Sequence, residues 1–312
     1  MDATRLRILR ELADRGTVSA TAAALSMTPS AVSQQLKILA HEVGVVLLEP
    51  SGRRLRFTDA GRALVVRADD VIAALGRAEA EMAAYRTSPR GRVRVALFPS
   101  GAALLLPGVL GLMADSGVDV DAQDEDVPAS AVPPLLADYD VVLTHRDERA
   151  PTLTGPRVVT TGLLREPIDL VLPEDHHFAG RDEARLGELA DENWISVRGG
   201  FPVDDVLLSV AAVTGVEPRV VHRINDFHVI EELVAAGRGV ALMPRFSVHH
   251  PRVVRVRVAG VRAARIYDLV TRPGATERPA IAAVLEAFRT AATRVDRVDQ
   301  GRSGRIRRGP ST

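Results

Sequence analysis

The residues best suited to chemistry lie near the N-terminus, on one face of a short segment. The apolar spacing predicts a helix from Pro29 to about Val43. Its outward face carries four polar side chains, Ser30, Ser33, Gln34 and Lys37. Glutamine can bond adenine at two positions and lysine can reach the acceptors of guanine, whereas serine suits phosphate or a close base contact. This face is therefore suited to binding DNA.

The segments before this face predict a helix-turn-helix. Ser19 is a suitable N-cap for a helix of small residues from Ala20 to Leu25, and Ser26 and Met27 would form the turn. Thr28 and Pro29 then form a strong helix start. In this motif the start of the second helix meets base edges and phosphate, so we expect Thr28 and Pro29 to lie at the interface with the polar face. The alternative is an ordinary solvated helix face, which the combination of helix, turn and helix start disfavours.

Two β-prone runs after the helix predict a hairpin, or wing. They are Val45 to Leu48 and Leu55 to Phe57, joined by the turn residues 49–54. Three arginines of the hairpin, Arg53, Arg54 and Arg56, would meet the adjacent DNA backbone or minor groove and add electrostatic affinity. A solvated hairpin tip is the alternative.

A long helix is predicted from Thr58 to about Arg86. Its apolar positions alternate spacings of four and three: Leu64, Ala68, Val71, Leu75, Ala78, Met82 and Tyr85. A period of 3.5 residues with charged flanks favours pairing of two helices, so the sequence predicts a homodimer formed through this helix. Packing against the chain's own domains is the alternative.

These segments together resemble the N-terminal domain of LysR-type transcriptional regulators of bacteria. The resemblance is carried by residues 22–25 (AAAL), 28–37 (TPSAVSQQLK) and 55–61 (LRFTDAG). Where the family usually has Leu-Phe-x-Arg, this chain has Leu-Leu-Glu-Pro at 47–50, which removes an arginine expected near the DNA backbone. The wing arginines could supply that charge instead.

The resemblance covers nearly the whole chain and has further implications. It implies a two-lobed effector domain with the architecture of periplasmic binding proteins, a small-molecule effector between the lobes, and a homotetramer built from dimers. The fold class expected is an all-α winged helix-turn-helix with a long linker helix, followed by an α/β effector domain.

The composition restricts the class of protein. The chain has 312 residues, 46% of them hydrophobic, a formal net charge of zero and no cysteine. It is long enough for two or three domains, and disulfides, thiolate nucleophiles and cysteine metal sites are excluded. No signal peptide or membrane span is evident, so we expect a cytoplasmic protein. Zero net charge argues against a general nucleic-acid coat, but not against a specific reader with a local basic patch.

From about residue 91 strand and helix patterns alternate, which predicts parallel strands joined by helical crossovers. The resemblance implies that the strand from Val253 to Val258 and the segments after it return to the first lobe. The predicted domains are a winged helix-turn-helix (1–58), a dimerising linker helix (59–87), an effector domain (88–295, with lobe 1 at 91–162 and 246–295 and lobe 2 at 163–245) and a disordered basic tail (296–312).

Polar and aromatic residues in loops after strands or before helices would converge on a cleft between the lobes. The candidates for effector binding are Ser100, Thr144, His145, Ser196, Arg198, Asn225 and Phe227. Helix N-termini favour carboxylates, and Arg198 could hold one through two hydrogen bonds. The sequence therefore predicts a small organic anion as effector, with no other cofactor.

The sequence contains little evidence for catalysis or metal binding. His176-His177 and His249-His250 are adjacent pairs, whereas two metal ligands on one helix need a spacing of three or four. No phosphate-binding loop or catalytic motif occurs, so we predict no metal site and no enzymatic activity. The alternatives are an architectural DNA-binding protein without small-molecule control, or a DNA-binding domain fused to an enzyme.

Overall fold

A computed structural model of the chain describes residues 1–51, 54–84, 91–189, 191–215 and 217–306. The N-terminal domain comes first and a long helix follows it. The elements of the N-terminal domain are α1 (Ala3–Arg15), α2 (Val18–Ala24), α3 (Pro29–Val43), β1 (Leu48–Ser51) and β2 (Arg54–Phe57).

The core of the N-terminal domain forms where the sequence predicts it. Val32, Leu36 and Leu39 of α3 are buried, as their helical spacing requires, and they pack against Leu9 of α1. Gly16 ends α1 in the left-handed conformation, with φ of 72°. This packing leaves the opposite face of α3 outside the domain.

Two local predictions in this domain need correction. Thr17, not Ser19, caps α2: its side chain accepts a hydrogen bond from the N–H of Ala20, so the helix begins at Val18. The first hairpin strand is Leu48–Ser51 and not Val45 to Leu48, because Leu48 pairs with Phe57 and the strand continues from there. The pairing ends with Ser51 opposite Arg54, and residues 52 and 53 lie outside the described residues.

The long helix, α4 (Asp59–Ala84), begins as predicted, with the Thr58 hydroxyl accepting a hydrogen bond from the N–H of Gly61. The predicted seam is wrong at its first two positions, because Leu64 and Ala68 pack in the core of the N-terminal domain. Val71, Leu75 and Met82 are exposed. Tyr85 lies outside the described residues.

The C-terminal domain has two lobes, each with its own hydrophobic core. Lobe 1 contains β3 (Gly91–Leu97), α5 (Pro99–Met113), β4 (Val118–Asp124), α6 (Val132–Leu135), β5 (Val141–Asp147), β12 (Ala264–Thr271) and α9 (Pro279–Ile306). Lobe 2 contains β7 (Glu183–Arg185), β8 (Asn193–Ser196), α7 (Pro202–Thr214), β9 (Arg219–Arg223), α8 (Phe227–Ala235), β10 (Val240–Pro244) and β11 (Val253–Ala259). One long strand, β6 (Val159–Pro173), belongs to both lobes.

A curled sheet joins the lobes in the order β4-β3-β5-β12-β6-β10-β8-β9. Within each lobe the pairing is parallel where the sequence predicts crossovers, between β3 and its neighbours β4 and β5, and between β8 and its neighbours β9 and β10. The two parallel groups are connected by antiparallel strands, because β6 pairs with β12 in its first half and with β10 and β11 in its second. None of the described helices combines the length and the hydropathy that crossing a bilayer requires.

Two boundaries in the C-terminal half differ from those predicted. The strand β11 lies in lobe 2, where it pairs with β6 and its Val256 is buried in the core. Lobe 2 therefore extends to about residue 263, although Phe246 packs against the core of lobe 1. The tail expected to be disordered from residue 296 is helical as far as Ile306, because α9 continues through it. Residues 307–312 lie outside the described range.

Two glycines of α4 make a matched test of the N-terminal packing. A Cβ at Gly61 would overlap the carbonyl oxygen of Leu47, whereas a Cβ at Gly76 would meet nothing within 4 Å. We expect Gly61→Ala to lower the free energy of unfolding by roughly 1–3 kcal/mol through overpacking, and Gly76→Ala to raise it by up to about 1 kcal/mol through helix propensity. Thermal unfolding of both variants measures this. Equal midpoints would contradict the close approach of α4 to Leu47.

Candidate DNA interface and ligand cleft

The exposed face of α3 brings together the residues predicted to meet DNA. The Thr28 hydroxyl accepts a hydrogen bond from the N–H of Ala31, and Pro29 occupies the first helical position. The side chains exposed on this face and at its start are Thr28, Pro29, Ser30, Gln34 and Lys37, with Ser33 partly exposed. The face therefore combines a helix N-terminus with side chains of suitable length for a groove.

The neighbouring glutamine has a different environment. Gln35 is partly buried, and its Oε1 accepts a hydrogen bond from Nε of Arg5 in α1 at 3.0 Å. Gln34, one position earlier, lies on the exposed face. Gln35 therefore holds α1 to α3, whereas Gln34 is free to meet a base.

The hairpin carries less free positive charge than its sequence suggests. Glu49 lies opposite Arg56 in the β1–β2 ladder, and its Oε1 accepts a hydrogen bond from Nε of Arg56 at 3.0 Å. Both side chains are solvent-accessible, so the pair is a surface ion pair of small stability. Arg53 and the side chain of Arg54 lie outside the described residues. Glu49, at the variable position of the family's Leu-Phe-x-Arg pattern, therefore neutralises one predicted DNA-binding arginine.

A cavity of about 380 Å³ lies between the two lobes. The N-termini of three helices open onto it, at Ser100 of α5 in lobe 1, and at Val203 of α7 and Phe227 of α8 in lobe 2. Of the seven candidates for effector binding, the structure brings four together in the lining of this cavity: Ser100, His145, Asn225 and Phe227.

The other three candidates do not line the cavity. Thr144 precedes His145 on β5, and successive residues of a strand point to opposite faces. Ser196 is buried, and its hydroxyl donates to Oδ1 of Asp204, where it holds the first turn of α7. Arg198 is 62% exposed at the rim and is not among the lining residues, so the structure does not place it where the predicted clamp would be.

The wall that carries Ser100 rests on a buried ion pair. Arg265 of β12 and Glu166 of β6 are both at most 1% exposed, and Nε of Arg265 donates to Oε2 of Glu166 at 2.8 Å. The same oxygen accepts a hydrogen bond from the hydroxyl of Tyr267 at 2.8 Å. A second guanidinium nitrogen of Arg265 donates to the hydroxyl of Ser100 at 3.1 Å. The charge of Arg265 is thus already balanced by Glu166.

Aromatic rings form much of the remaining wall. Four of the seven phenylalanines of the chain line the cavity: Phe98, Phe201, Phe227 and Phe246. The ring of His145 lies 4.2 Å from that of Phe98. Burial, and next the charge of Arg265, lower the pKa of His145 well below its usual value, so the imidazole is neutral at pH 7. Its Nδ1 is buried without a hydrogen-bond partner.

Contacts between the lobes cross the rim of the cavity. Asp126, which follows β4 in lobe 1, accepts a hydrogen bond from Nδ2 of Asn225 in lobe 2 at 2.8 Å. Arg198 reaches the same carboxylate at 3.4 Å. Oδ1 of Asn225 in turn accepts a hydrogen bond from the N–H of Arg198. Arg198 therefore acts at the rim, where it pairs with a carboxylate of the protein.

Several lining residues were missed by sequence reasoning, and some carried a usable signal. Arg265 is a charged residue in a largely apolar strand that also contains Asp268, and burying such a charge is costly unless it is paired. Phe201 stands between two glycines and the Pro202 that starts α7, a pattern that places it at a helix N-terminus. Phe246 gave no comparable signal, because its position depends on how the segment after β10 folds back between the lobes.

One group of side chains among the described residues has the proximity that a metal site requires: His176, His177 and Glu192. The prediction of no metal site rested on the absence of cysteine and on helical spacing of the histidines, whereas this group lies at a turn. Nδ1 of His176 accepts a hydrogen bond from the N–H of Phe178, so a neutral ring carries its proton on Nε2, which lies 3.1 Å from Glu192. Metal binding through Nε2 would require the ring proton to move to Nδ1, where it would oppose the N–H of Phe178, so these contacts favour a hydrogen bond to Glu192.

Comparison with known proteins adds the decisive observation. Residues 3–62 match the model of the bacterial regulatory helix-turn-helix proteins of the lysR family, and residues 86–293 match that of the LysR substrate binding domain. The chain belongs to the LysR family. It is therefore a DNA-binding transcriptional regulator with an effector-binding domain, and regulators of this family are not enzymes and act as oligomers.

Relatives align along nearly the whole length. The chain is 26% identical to the DNA-binding transcriptional dual regulator OxyR of Escherichia coli (strain K12) over 300 residues, covering 93% of this chain and 95% of that protein. It is 29% identical to a probable hydrogen peroxide-inducible genes activator of Streptomyces viridosporus over 305 residues, covering 94% of this chain and 96% of that protein. Among solved structures, full-length OxyR from Pseudomonas aeruginosa has the same fold, with a TM-score of 0.66 at 19% identity over 93% of this chain and 95% of that chain.

One difference from an oxidant sensor based on thiols follows from composition alone. This chain has no cysteine, so it cannot respond to an oxidant through a sulfenic acid or a disulfide. An effector must therefore act on its LysR substrate-binding domain through non-covalent contacts or through chemistry that does not involve cysteine.

The pairing of Glu49 with Arg56 predicts how the wing meets DNA. Glu49→Gln should strengthen binding to random-sequence duplex, because it removes a negative charge and frees Arg56 for a phosphate. The slope of log Kd against log salt should steepen by about 0.9, the value for one additional phosphate contact. Glu42→Gln makes the same charge change at a residue that pairs with Arg5. Identical slopes for both variants would show that the wing does not touch the DNA backbone.

Proposed function

We propose that this regulator binds a small planar organic anion between its lobes, and that the occupied cleft changes how its N-terminal domain engages DNA. The observation that carries the proposal is that one cavity combines aromatic walls with a helix N-terminus whose N-cap residue makes no side-chain capping bond. The proposal also assigns the exposed face of α3 to base and phosphate contacts, and it places the protein in the cytoplasm, where its DNA is.

The anionic part of the ligand is assigned from the three helix N-termini. The first turn of α7 contains Asp204 and Asp205, and α8 is capped by the carboxylate of Asp226. The N-cap residue of α5 is Phe98, which makes no side-chain capping bond, and the helix begins at Pro99 and carries the Ser100 hydroxyl at the cavity. Free N–H groups and the positive end of the helix dipole favour an anion. The carboxylate of the ligand is therefore expected at α5.

The planar part of the ligand is assigned from the walls. Aromatic residues make up only 4% of the chain, yet four phenylalanines meet at this cavity. Aromatic rings bind other flat apolar groups through stacked or edge contacts. The protein already balances the charge of Arg265 through Glu166, so the ligand need not carry more than one negative charge.

Assembly is proposed to use the exposed part of α4. Its unburied apolar residues continue the predicted seam at Val71, Leu75 and Met82, beside the exposed Ala78. Two such helices could pair over these positions. A dimer would then present two α3 helices to two half-sites in DNA.

Gln34 should determine one base position. Gln34→Ala is expected to cost about 1–3 kcal/mol at the preferred site and to relax the preference at one base pair, because it removes a base contact with two hydrogen bonds. Selection of sites from a randomised duplex pool by the wild type and the variant measures both effects. Gln35→Ala is the control: loss of its bond to Arg5 should affect stability but leave the selected sequence unchanged. An unaltered selected sequence for Gln34→Ala would remove this residue from the interface.

A panel of three small molecules tests the ligand class. Benzoate is planar and anionic, cyclohexanecarboxylate is anionic but not planar, and benzamide is planar but neutral. A ligand that binds only the native state raises the thermal midpoint, so we expect the largest rise with benzoate. A larger rise with either of the others would reject the assigned chemistry, and no rise with any of them would favour a regulator without this kind of ligand.

Ser100 should contribute to the affinity of the ligand that the panel identifies. Ser100→Ala is expected to weaken its binding by roughly 0.5–1.5 kcal/mol, the usual effect of one hydrogen bond. Calorimetry measures the change. Ser209→Ala is the control, since that hydroxyl bonds only its own helix at Val206 in the hydrogen bonds that the structure shows. Equal affinities for the two variants would place the ligand away from the start of α5.

A further inference from the structure

Four charged side chains form a closed ring between the N-terminal domain and lobe 1. Asp14 of α1 is 2.9 Å from a guanidinium nitrogen of Arg157 and 2.7 Å from one of Arg272. Asp69 of α4 also bonds Arg157, and it lies 3.5 Å from Arg272. Each carboxylate therefore contacts both arginines. We name these four residues the interdomain ring.

The ring is largely shielded from solvent. The side chains of Asp14 and Asp69 are 8% and 4% exposed, and those of Arg157 and Arg272 are each 19% exposed. At this burial, screening by salt is weak and each charge depends on its partners. The two acids belong to the DNA-binding side and the two bases to lobe 1, so the two surfaces are complementary in charge.

Further contacts surround the ring. Arg15 at the end of α1 makes two hydrogen bonds to the carboxylate of Asp138 in lobe 1, at 2.6 and 3.0 Å. Further along α4, Arg77 pairs with Glu277. The backbone of Gly274 also lies against α4. A Cβ added to Gly274 would be only 2.8 Å from the Cβ of Ala73. The contact therefore extends along both helices.

A contact made largely of ion pairs can fix the orientation of two domains without joining them through a permanent hydrophobic core. A buried ion pair adds little net stability, because desolvation offsets the attraction, but a mismatched orientation would leave charges buried and unpaired. At the same end of α1, Nε of Arg10 and Oε2 of Glu11 are buried without a hydrogen-bond partner. Buried polar atoms without partners lower the stability of the docked state, so the difference in free energy between the docked and an open state stays small.

We propose that the interdomain ring docks the DNA-binding domain on lobe 1 of its own chain, so that Asp14, Asp69, Arg157 and Arg272 are positioning residues for DNA recognition. None of them lies on the exposed face of α3. They act by fixing the direction in which α3 faces relative to the effector domain.

The two arginines of the interdomain ring lie next to the strands that extend to the cleft. Arg272 directly follows β12, and Arg157 lies two residues before β6. These strands pair along their length, and at the other end of the pairing Arg265 stands opposite Glu166. The same two strands thus carry the interdomain ring at one end and the ion pair of the cleft at the other.

Spin labels can measure the docking directly, because the chain has no cysteine of its own. Cysteines introduced at the exposed residues Arg7 of α1 and Thr152 of lobe 1 would carry a nitroxide pair in the full-length protein. Labelled chains are mixed with an excess of unlabelled chains, so that each oligomer contains one labelled pair. Pulsed dipolar spectroscopy then gives the distance distribution between the two domains.

We expect a narrow distribution in the otherwise wild-type protein and a broad, shifted one in Asp14→Asn/Asp69→Asn. Should that variant unfold, Arg157→Gln/Arg272→Gln removes the ring from the side of lobe 1. Arg272→Lys, which keeps the charge, should restore part of the narrow distribution relative to Arg272→Gln. Arg289→Gln is the control, because Arg289 pairs with Glu286 on its own helix. A broad distribution in the wild type, or an unchanged one in folded ring variants, would overturn the proposal.

A DNA measurement separates positioning from simple stability. After sites are selected from a random pool, roughly 5 base pairs, about half a helical turn, are inserted between the half-sites. The wild type should lose affinity on the altered site, whereas a folded ring variant should lose less, because lobe 1 no longer holds its paired α4 helices and their DNA-binding domains in one arrangement. Equal losses would mean that the ring does not set the direction of α3. These outcomes do not depend on any ligand, so they stand or fall separately from the ligand class proposed above.

Discussion

The arrangement of the effector domain depends on the buried ion pair between Glu166 and Arg265. Two charges removed from water cost several kcal/mol each, and the cost is offset only when every polar atom is bonded in good geometry. Glu166 meets this condition through Arg265, the Tyr267 hydroxyl and the N–H of Phe246. Because these partners come from β12 and from the segment after β10, one carboxylate fixes the place where the lobes cross and holds the Ser100 wall of the cavity.

This ion pair gives the cleft and the interdomain ring a common support. The strands β6 and β12 are hydrogen-bonded from the register of Arg265 with Glu166 to that of Thr271 with Val159. A movement of β6 and β12 at the cleft end would therefore move two paired strands and not a flexible loop. Arg272 and Arg157 lie just beyond the other end of this strand pair. Allosteric coupling needs an element with two discrete arrangements that both sites can bias, and a docked or released DNA-binding domain would be such an element.

Local signals in the sequence predicted many of the elements, although not the start of α2, the first hairpin strand or the end of α9, and they did not predict the contacts between elements. Thr28 and Pro29 start α3 as predicted, because capping and proline geometry act within one turn. The position of β11 was wrong, since strand propensity does not say which neighbour a strand pairs with. Thr144 and Arg198 were misplaced because strand alternation and the pairing of Arg198 with Asp126 appear only once the lobes are assembled. The interdomain ring joins residues from 14 to 272, a separation at which no local pattern exists.

The central claim is that occupancy of the cleft changes DNA engagement, and a thermodynamic cycle tests it most directly. The affinity for the selected DNA site is measured with and without saturating ligand, and the affinity for the ligand is measured with and without that DNA. Linkage requires that the two ratios be equal. The account predicts a common ratio that differs from one. Ratios of one in both directions, for a ligand shown to bind in the cleft, would contradict it.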